Sequence, residues 1–153
     1  METQRGCIAC DISAGRRELP GGLIHRSDHW LVEHCIGPLG VGTLIVKPER
    51  HVLRVAELSD AETAELGPLL KLTTQVLGAL CDPDQVYVCL WSHAGGRPCH
   101  VHFVVQPGRE PKRKLPGTYG PGLQVAMFAR NKQPKLAEVV AFADRARAAF
   151  ASA

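Results

Sequence analysis

The sequence predicts an α+β domain with an antiparallel sheet. Three observations predict this fold class. Short β-rich runs lie between residues 23 and 46 and again between residues 86 and 105, one long helical pattern separates them, and helical patterns close the chain after residue 122. Strands that are interrupted by one long helix and followed by further helices are typical of α+β architecture, because alternating βα units would place a helix after almost every strand.

The composition indicates one folded domain that spans residues 1–153. Hydrophobic residues make up 45% of the chain and charged residues 22%, which excludes wholesale disorder. No apolar run approaches the ~20 residues of a membrane span, and the N-terminus lacks the apolar core of a secretory signal. We therefore expect a soluble, cytoplasmic protein without membrane contacts. The net charge of +3 is too small to argue for nucleic acid as a partner.

The first part of the chain predicts an N-terminal segment followed by three short strands. Residues 1–22 contain Cys7-Ile8-Ala9-Cys10 and a Pro-Gly-Gly bend, and we interpret them as a knuckle with a short helical turn. Apolar runs between residues 23 and 33 predict two strands separated by a polar turn. The β-branched run 42–46, with glycine before it and proline after it, predicts a buried strand.

The middle of the chain predicts one long helix. Ser59 and Glu62 have the spacing of a capping box, in which each side chain bonds the other residue's backbone N–H. Apolar residues at helical spacing continue the pattern to Leu80 or Cys81. Pro68 lies inside the pattern, and a proline there removes one backbone bond, so we expect a kink or a new first turn at that residue.

The remaining segments predict a hairpin, a loop and two helices. Residues 86–91 and 100–105 are β-rich and are joined by a Gly-containing turn over 93–98, which predicts an antiparallel pair. Residues 107–122 carry four prolines and several cations, and we expect a solvated loop; the cations are Arg109, Lys112, Arg113 and Lys114. Helical patterns over 123–130 and 134–150 complete the chain.

Cysteine and histidine are the unusual part of the composition. The chain has six Cys and seven His, and the expected compartment keeps thiols reduced, so a metal site or catalytic chemistry explains them better than disulfides. The Cys7-x-x-Cys10 pair supplies two thiolates but needs two further ligands for a tetrahedral metal, and a redox pair is an alternative interpretation. The other four cysteines are expected to be small buried hydrophobes.

Two histidines at the start of the second strand of the hairpin indicate a catalytic or ligand-binding role. His100 and His102 alternate with apolar residues in a predicted strand and therefore share one face with Val104 and Gln106. Two imidazoles side by side are hard to explain by packing alone. The preceding glycines at 95 and 96 allow a backbone to approach an anion closely and to present N–H groups to phosphate oxygens.

These landmarks resemble the histidine triad (HIT) superfamily of nucleotide hydrolases and transferases. The run His100-Val101-His102-Phe103-Val104-Val105 resembles the His-φ-His-φ-His-φ-φ motif, and Cys7-Ile8-Ala9-Cys10 resembles the opening of bacterial members. The segment from Gly42 to His51 resembles their Gly-His-Thr-Leu-Val-Ile-Pro-Lys-x-His segment, with one extra residue. The resemblance covers about residues 7–106, and residues 107–153 form a C-terminal extension without a match.

The resemblance implies a fold, a metal and a nucleophile. It implies an antiparallel sheet of about five strands with the long helix packed on it, and a two-fold dimer. It implies a structural Zn²⁺ bound by Cys7, Cys10, His51 and His100. With four protein ligands the zinc would have no open coordination position, and it would fix the N-terminal knuckle to the sheet. It also implies that His102 attacks the α-phosphorus of a nucleotide or nucleotide conjugate and forms a covalent nucleotidyl-histidine intermediate.

The phosphate contacts are predicted in the glycine-containing turn. We expect the backbone at Gly95 and Gly96 and the guanidinium of Arg97 to bind phosphate oxygens, with His93 and Ser92 as further candidates. The nucleophile must be neutral with one ring nitrogen free, which a hydrogen bond from the other nitrogen to a backbone carbonyl can fix.

The sequence departs from the family pattern at three places. Gly96 and Arg97 replace the phosphate-contacting Gln or Ser that hydrolases of the family carry before the triad. Val104 stands where the third histidine is expected and cannot donate to a phosphate oxygen. Cys35 falls near the acidic residue that holds the ribose hydroxyls in many members, which puts standard adenosine recognition in doubt. Two alternatives therefore stay open. One is a specialised biosynthetic enzyme or a nucleotide-binding protein without the usual hydrolase activity; the other is a zinc-knuckle or redox interaction protein.

Overall fold

The computed structural model describes residues 4–94, 97–108 and 119–153. In chain order the elements are α1 (Ile8–Ser13), β1 (Leu23–Arg26), β2 (Trp30–His34), β3 (Leu44–Pro48), a 3₁₀ turn (Val55–Glu57), α2 (Asp60–Cys81), β4 (Gln85–Ala94), β5 (Arg97–Gly108), α3 (Gly120–Arg130) and α4 (Leu136–Ala151). In these ranges no helix is long and apolar enough to span a membrane.

The strands form one five-stranded sheet in the order β1-β2-β3-β5-β4, and every described pair is antiparallel. Helices α2 and α4 cover one face. Alternate strand residues, one leucine of α2 and two phenylalanines of α4 form the main core there: Trp30, Val32, Leu44, Val46, Leu77, Val105, Phe142 and Phe150. The α+β class, the five strands and the long helix packed on the sheet are therefore confirmed.

Helix α2 begins as the sequence predicts. The Ser59 hydroxyl accepts from the Glu62 backbone N–H at 3.2 Å, and Glu62 Oε2 accepts from the Ser59 N–H at 2.7 Å. Arg50 also donates to both oxygens of Glu62 at 2.7 Å, and these bonds lower the pKa of Glu62 to about 2. The expected new first turn at Pro68 is wrong, because α2 is a single 22-residue helix. Pro68 is exposed, so water can replace the missing backbone bond.

The hairpin is longer than the sequence predicts. Ala94 pairs with Arg97 and His93 with Pro98, so the strands continue into the segment that the glycine and proline signals assign to a turn. Cross-strand pairing here overrides the local turn preference. Helix α3 also begins three residues earlier than predicted, at Gly120, and α4 begins at Leu136 instead of Pro134. Most of the predicted basic loop, residues 109–118, lies outside the described residues.

Candidate metal centre and catalytic site

Four side chains from three parts of the chain converge at one end of the sheet. The ligand atoms of Cys7, Cys10, His51 and His100 all lie within 4.8 Å of one another. Cys10 Sγ lies 3.3 Å from His51 Nδ1 and 3.6 Å from His100 Nδ1, and Cys7 Sγ lies 3.8 Å from His100 Nδ1. A tetrahedral shell with metal–sulfur distances of about 2.3 Å and metal–nitrogen distances of about 2.0 Å separates its ligands by about 3.3 to 3.8 Å. The cluster could therefore hold a zinc ion.

The protonation of the cluster also suits a metal. His100 Nε2–H donates to the Pro48 carbonyl at 2.9 Å, which turns Nδ1 towards the two sulfurs. Burial lowers the pKa of His100 to about 4, so the ring is neutral at neutral pH, as a metal ligand must be. Burial also raises the pKa of the Cys10 thiol, and a bound cation would favour the thiolate that burial alone disfavours.

Local structure brings these ligands together. Cys7 is the N-cap residue of α1 and Cys10 lies in the first turn, so one short helix presents both sulfurs. In the sheet, Trp91 pairs with His102 and His93 pairs with Pro98. Between these two pairs β5 advances by four residues whereas β4 advances by two, so β5 contains a bulge. Such a bulge turns a strand and re-aims its side chains. Within it, the Val101 N–H bonds to the Val52 carbonyl at 2.8 Å, which ties the His100 segment to the His51 segment.

His102 lies next to the cluster on the face of the sheet that α2 and α4 leave uncovered. Its Nδ1–H donates to the His100 carbonyl at 2.8 Å, which leaves Nε2 as the unprotonated nitrogen. Burial lowers the pKa of His102 and keeps the ring neutral at neutral pH. The structure therefore contains the backbone hydrogen bond that the sequence analysis required of a nucleophilic histidine.

A buried ion pair flanks His102. The β3–β5 register pairs Ile45 with Val104, and continuing it by two residues along β3 places Lys47 beside His102. Lys47 is 0% exposed, and its ammonium donates to Glu33 at 2.9 Å and to the Ala9 carbonyl of α1 at 3.1 Å. The Lys47 side chain therefore links the α1 knuckle and β2 beside the strand that carries His102.

The ion pair between Lys47 and Glu33 was not predicted from the sequence. The signal was present, because Lys47 and Glu33 are single charges of opposite sign in two otherwise apolar strands. Burial raises the pKa of Glu33 above its usual value, and the ammonium of Lys47 opposes that effect. Buried charges are rare unless they are paired, so two such charges on neighbouring strands predict a contact.

Three of the predicted phosphate-binding residues, Ser92, His93 and Arg97, lie at the hairpin end of β4 and β5. His93 and Arg97 are exposed, and Ser92 is half-buried. Gly95 and Gly96 lie outside the described residues. In the part of the chain that the structure describes, no hydrogen bond joins His93 or Arg97 to His102. Their role in binding phosphate stays a prediction.

Two of the departures from the family pattern, Val104 and Cys35, share one structural explanation. Val104 and Cys35 belong to the same apolar cluster, which Leu39 completes and which Met127 of α3 covers. Val104 is 2% exposed, and burial raises the pKa of the Cys35 thiol to about 11. The side chain at the position of the missing third histidine is thus buried beneath the C-terminal extension. The sequence could not predict this, because it did not indicate where the extension packs.

Next to this cluster, α3 also contacts the strand pair that carries His102. Trp91, which pairs with His102, donates from Nε1 to Gln124 Oε1 at 2.7 Å, and its ring lies 5.2 Å from that of Phe128. His102 therefore lies between the α1 knuckle on one side and α3 on the other.

Comparison with known proteins agrees with this fold and this cluster. No family model matches the sequence. A HIT-like protein of Methanocaldococcus jannaschii is 31% identical over 105 residues, which cover 68% of this chain and 80% of the relative. A histidine triad nucleotide-binding protein from Sulfolobus tokodaii superposes with a TM-score of 0.72 at 17% identity, over 95% of this chain and 93% of the other.

A second solved structure bears on the metal centre. The zinc-bound histidine triad family protein from Mycobacterium smegmatis has a TM-score of 0.69 at 17% identity, and the match covers 96% of this chain and 94% of that one. The fold and the Cys₂His₂ cluster beside a histidine-bearing strand define the class as an α+β protein with a potential zinc centre. With the relative from M. jannaschii, they show that the chain belongs to the histidine triad (HIT) family.

Proposed function

We propose that this protein is a nucleotide hydrolase or nucleotidyltransferase in which His102 is the nucleophile. The observation that carries the proposal is the bond from His102 Nδ1–H to the His100 carbonyl. It fixes the tautomer in which Nε2 carries the free electron pair. In the proposed reaction, a bond forms between Nε2 and the α-phosphorus as the bond from phosphorus to the leaving group breaks. Water or another acceptor then attacks phosphorus and releases the imidazole.

The surroundings of His102 support nucleophilic attack. The lowered pKa of His102 keeps the ring available at neutral pH, because a protonated imidazole has no free electron pair. Burial is the main cause of this lowered pKa, and the charge of the neighbouring buried Lys47 ammonium adds to it, although Glu33 neutralises part of that charge. We propose that Gly95, Gly96 and Arg97 supply the phosphate contacts, with His93 and Ser92 in the same hairpin.

We propose that the cluster of Cys7, Cys10, His51 and His100 binds a structural zinc ion. The ligand spacing and the neutral His100 support this proposal. When bound, zinc would supply charge compensation for the two thiolates and a fixed geometry. His100 would then be held at both nitrogens, by the Pro48 carbonyl and by the metal centre. Because the His100 carbonyl accepts from His102, a fixed His100 would also hold the His102 ring in its orientation.

A second candidate function is nucleotide binding without turnover. Its support is Val104, which is buried under α3 and has no donor for a phosphate or for a leaving group. Either function implies a small nucleotide or nucleotide conjugate as the partner. The absence of a third histidine is compatible with both, so the experiment must measure binding and turnover separately.

The test compares the wild-type protein with His102→Ala on labelled dinucleoside polyphosphates and nucleoside phosphoramidates. We expect turnover to fall on the order of 10³-fold or more in His102→Ala, and acid quenching of the wild type to trap labelled protein. His29→Ala, a histidine that pairs with Glu65 away from the site, is the matched control and should keep full activity. Equal turnover in the wild type and His102→Ala would exclude His102 as the nucleophile. Nucleotide-dependent thermal stabilisation without turnover would support the second candidate.

We also propose a homodimer that pairs along β4. This strand is one of the two outer strands of the described sheet, and Val88 and Leu90 on it are 41% and 47% exposed. An exposed edge with apolar side chains is a template for another strand. We expect light scattering to give a dimer for the wild type and a monomer for Leu90→Lys, with Val125→Lys on the exposed side of α3 as the control. A wild-type monomer at high micromolar concentration would contradict the proposal.

A further inference from the structure

A cavity of about 930 Å³ lies at the end of the sheet opposite the metal cluster. The loop before β3, the C-terminal ends of α2 and β5, and the two C-terminal helices line it, through Leu39, Leu80, Gln106, Leu123, Met127 and Phe142 among others. His102 precedes Gln106 by four residues, or about 13 Å of extended strand, and does not line the cavity. The cavity is therefore separate from the candidate catalytic site.

The inner wall of the cavity is largely apolar. Leu123 and Phe142 are buried there, and Met127 and Leu80 are half-buried. The volume lies within the range of about 300 to 1,000 Å³ that is common for small-molecule sites. Such a wall favours a ligand with an apolar, planar or branched body.

The outer part of the cavity is positively charged. Its lining includes three cations, Arg130, Lys132 and Arg145, and one carboxylate, Glu138. Glu138 also lies 3.7 Å from Lys135, which partly neutralises it. Arg145 is held in place, because it donates to the Leu80 carbonyl at 3.2 Å and its guanidinium lies 6.0 Å from the centre of the Phe142 ring. This charge balance favours an anionic group on the ligand.

A helix terminus and a buried side chain also border the cavity. Helix α4 begins there without a side-chain cap from Lys135, and Glu138 in its first turn offsets part of the positive helix dipole. Gln106 is 2% exposed and lies in the wall. Its Nε2 donates to the Leu39 carbonyl at 3.0 Å, whereas its Oε1 has no partner. A buried acceptor without a donor costs about 1 to 3 kcal/mol. Because this oxygen is closed to solvent, a ligand hydroxyl would satisfy it once the Met127 side chain, which lies against the Gln106 amide, moves aside.

We propose that this cavity is a second ligand site, for a small aromatic anion that carries a phosphate or carboxylate group and a hydroxyl donor. The apolar wall would hold the ring, the cations near Arg145 would hold the anionic group, and Gln106 would accept from the hydroxyl. The site is made largely by residues of the C-terminal extension. Its occupancy does not depend on the chemistry proposed for His102.

Met127 provides a direct reporter for the test. The chain has two methionines, Met1 and Met127, and Met127 Sδ lies 3.1 Å from Gln106 Nε2 in the cavity wall. Methyl-¹³C-methionine labelling therefore gives one resonance from the cavity. The probes are 4-hydroxybenzoate and 4-hydroxyphenyl phosphate, which distinguish a carboxylate from a phosphate site, with neutral 4-hydroxybenzyl alcohol for comparison.

We expect at least one anionic probe to shift the Met127 resonance saturably, with a Kd below about 1 mM, and the neutral probe to bind at least tenfold more weakly. Arg145→Gln and Lys132→Gln should each weaken binding about five- to tenfold, and Arg145→Lys should restore most of it. Lys71→Gln, on the exposed side of α2 outside the cavity, should bind normally. His102→Ala should also bind normally, since the two sites are separate.

Several results would overturn the proposal. They are an unshifted Met127 resonance with every anionic probe, equal binding of the neutral probe, or unchanged binding in both charge-removing variants. Loss of binding in His102→Ala would also overturn it, because the ligand would then occupy the candidate catalytic site. Backbone amide spectra of each variant check that a weakened response is not caused by unfolding.

Discussion

Cys10→Ser is expected to lower the Tm of the protein by about 10 °C and to abolish stoichiometric zinc in protein purified without added metal. Cys10 is buried and lies within hydrogen-bond distance of both His51 and His100, so its loss removes a central ligand and leaves the remaining donors without a metal. The shift corresponds to about 3 to 4 kcal/mol for a domain of this size. The main core on the other face of the sheet remains, so the protein should still fold.

The measurement combines metal analysis by atomic emission with thermal unfolding, before and after treatment with a chelator. Chelated wild-type protein should melt at the temperature of Cys10→Ser, because both lack the metal. Cys89→Ser is the matched control; this half-buried thiol lies on β4 outside the cluster and should keep its zinc and nearly all its stability. Purified wild-type protein without zinc, with a Tm that the chelator does not change, would contradict the structural role.

The sequence alone predicted the parts of the fold that local signals determine. The capping box at Ser59 and Glu62 placed the start of α2 because two reciprocal bonds satisfy the free N–H groups there. The alternation of His100 and His102 with apolar residues predicted a strand with one apolar face and one face that carries both histidines. The four candidate ligands lie up to 93 residues apart in sequence, and the resemblance to the family, not periodicity, grouped them.

The features that the sequence did not predict depend on contacts between distant elements. The apolar spacing predicted a helical pattern that runs past Pro68, but not that α2 stays a single helix there, since that depends on the exposure of this side of the helix. The burial of Val104 depends on α3, whose packing on the sheet follows from tertiary structure. The register shift between β4 and β5 lies where Val101 bonds to Val52, a contact between distant segments that no local pattern encodes.

Lys47→Met is expected to destabilise the protein by about 3 to 5 kcal/mol at pH 7.5. The substitution keeps the length of the side chain but leaves the Glu33 carboxylate, 5% exposed, without its counter-charge. Removing one partner of a buried ion pair has this cost because the other charge stays buried without compensation. It also removes the donor to the Ala9 carbonyl, so we expect zinc to be released faster to a chelator.

The double variant Lys47→Met/Glu33→Leu separates the charge effect from packing. It replaces the ion pair by apolar groups of similar volume, a change that is often neutral or stabilising. We expect it to recover at least half of the stability that Lys47→Met loses. A double variant as unstable as the single one would show that the shape of Lys47, or its bond to Ala9, matters more than its charge.

The pH dependence gives an independent check on the same charge. In Lys47→Met, burial acts on Glu33 without the opposing ammonium, so the folded-state pKa of Glu33 should rise further above its unfolded value. A raised folded-state pKa stabilises the fold at low pH, and this contribution is lost as the pH rises through that value. The destabilisation of Lys47→Met relative to the wild type should therefore be smaller at pH 5 than at pH 8.

Lys135→Met is the matched control for this charge. Lys135 Nζ lies 3.7 Å from Glu138 Oε1, and both side chains are solvent-exposed. We expect a change below about 0.5 kcal/mol at either pH, because water already screens that pair. A pH-independent loss in Lys47→Met would mean that Glu33 does not carry the unpaired charge. Lys47 would then stabilise the protein through its packing and its bond to the Ala9 carbonyl, and not by compensating the charge of Glu33.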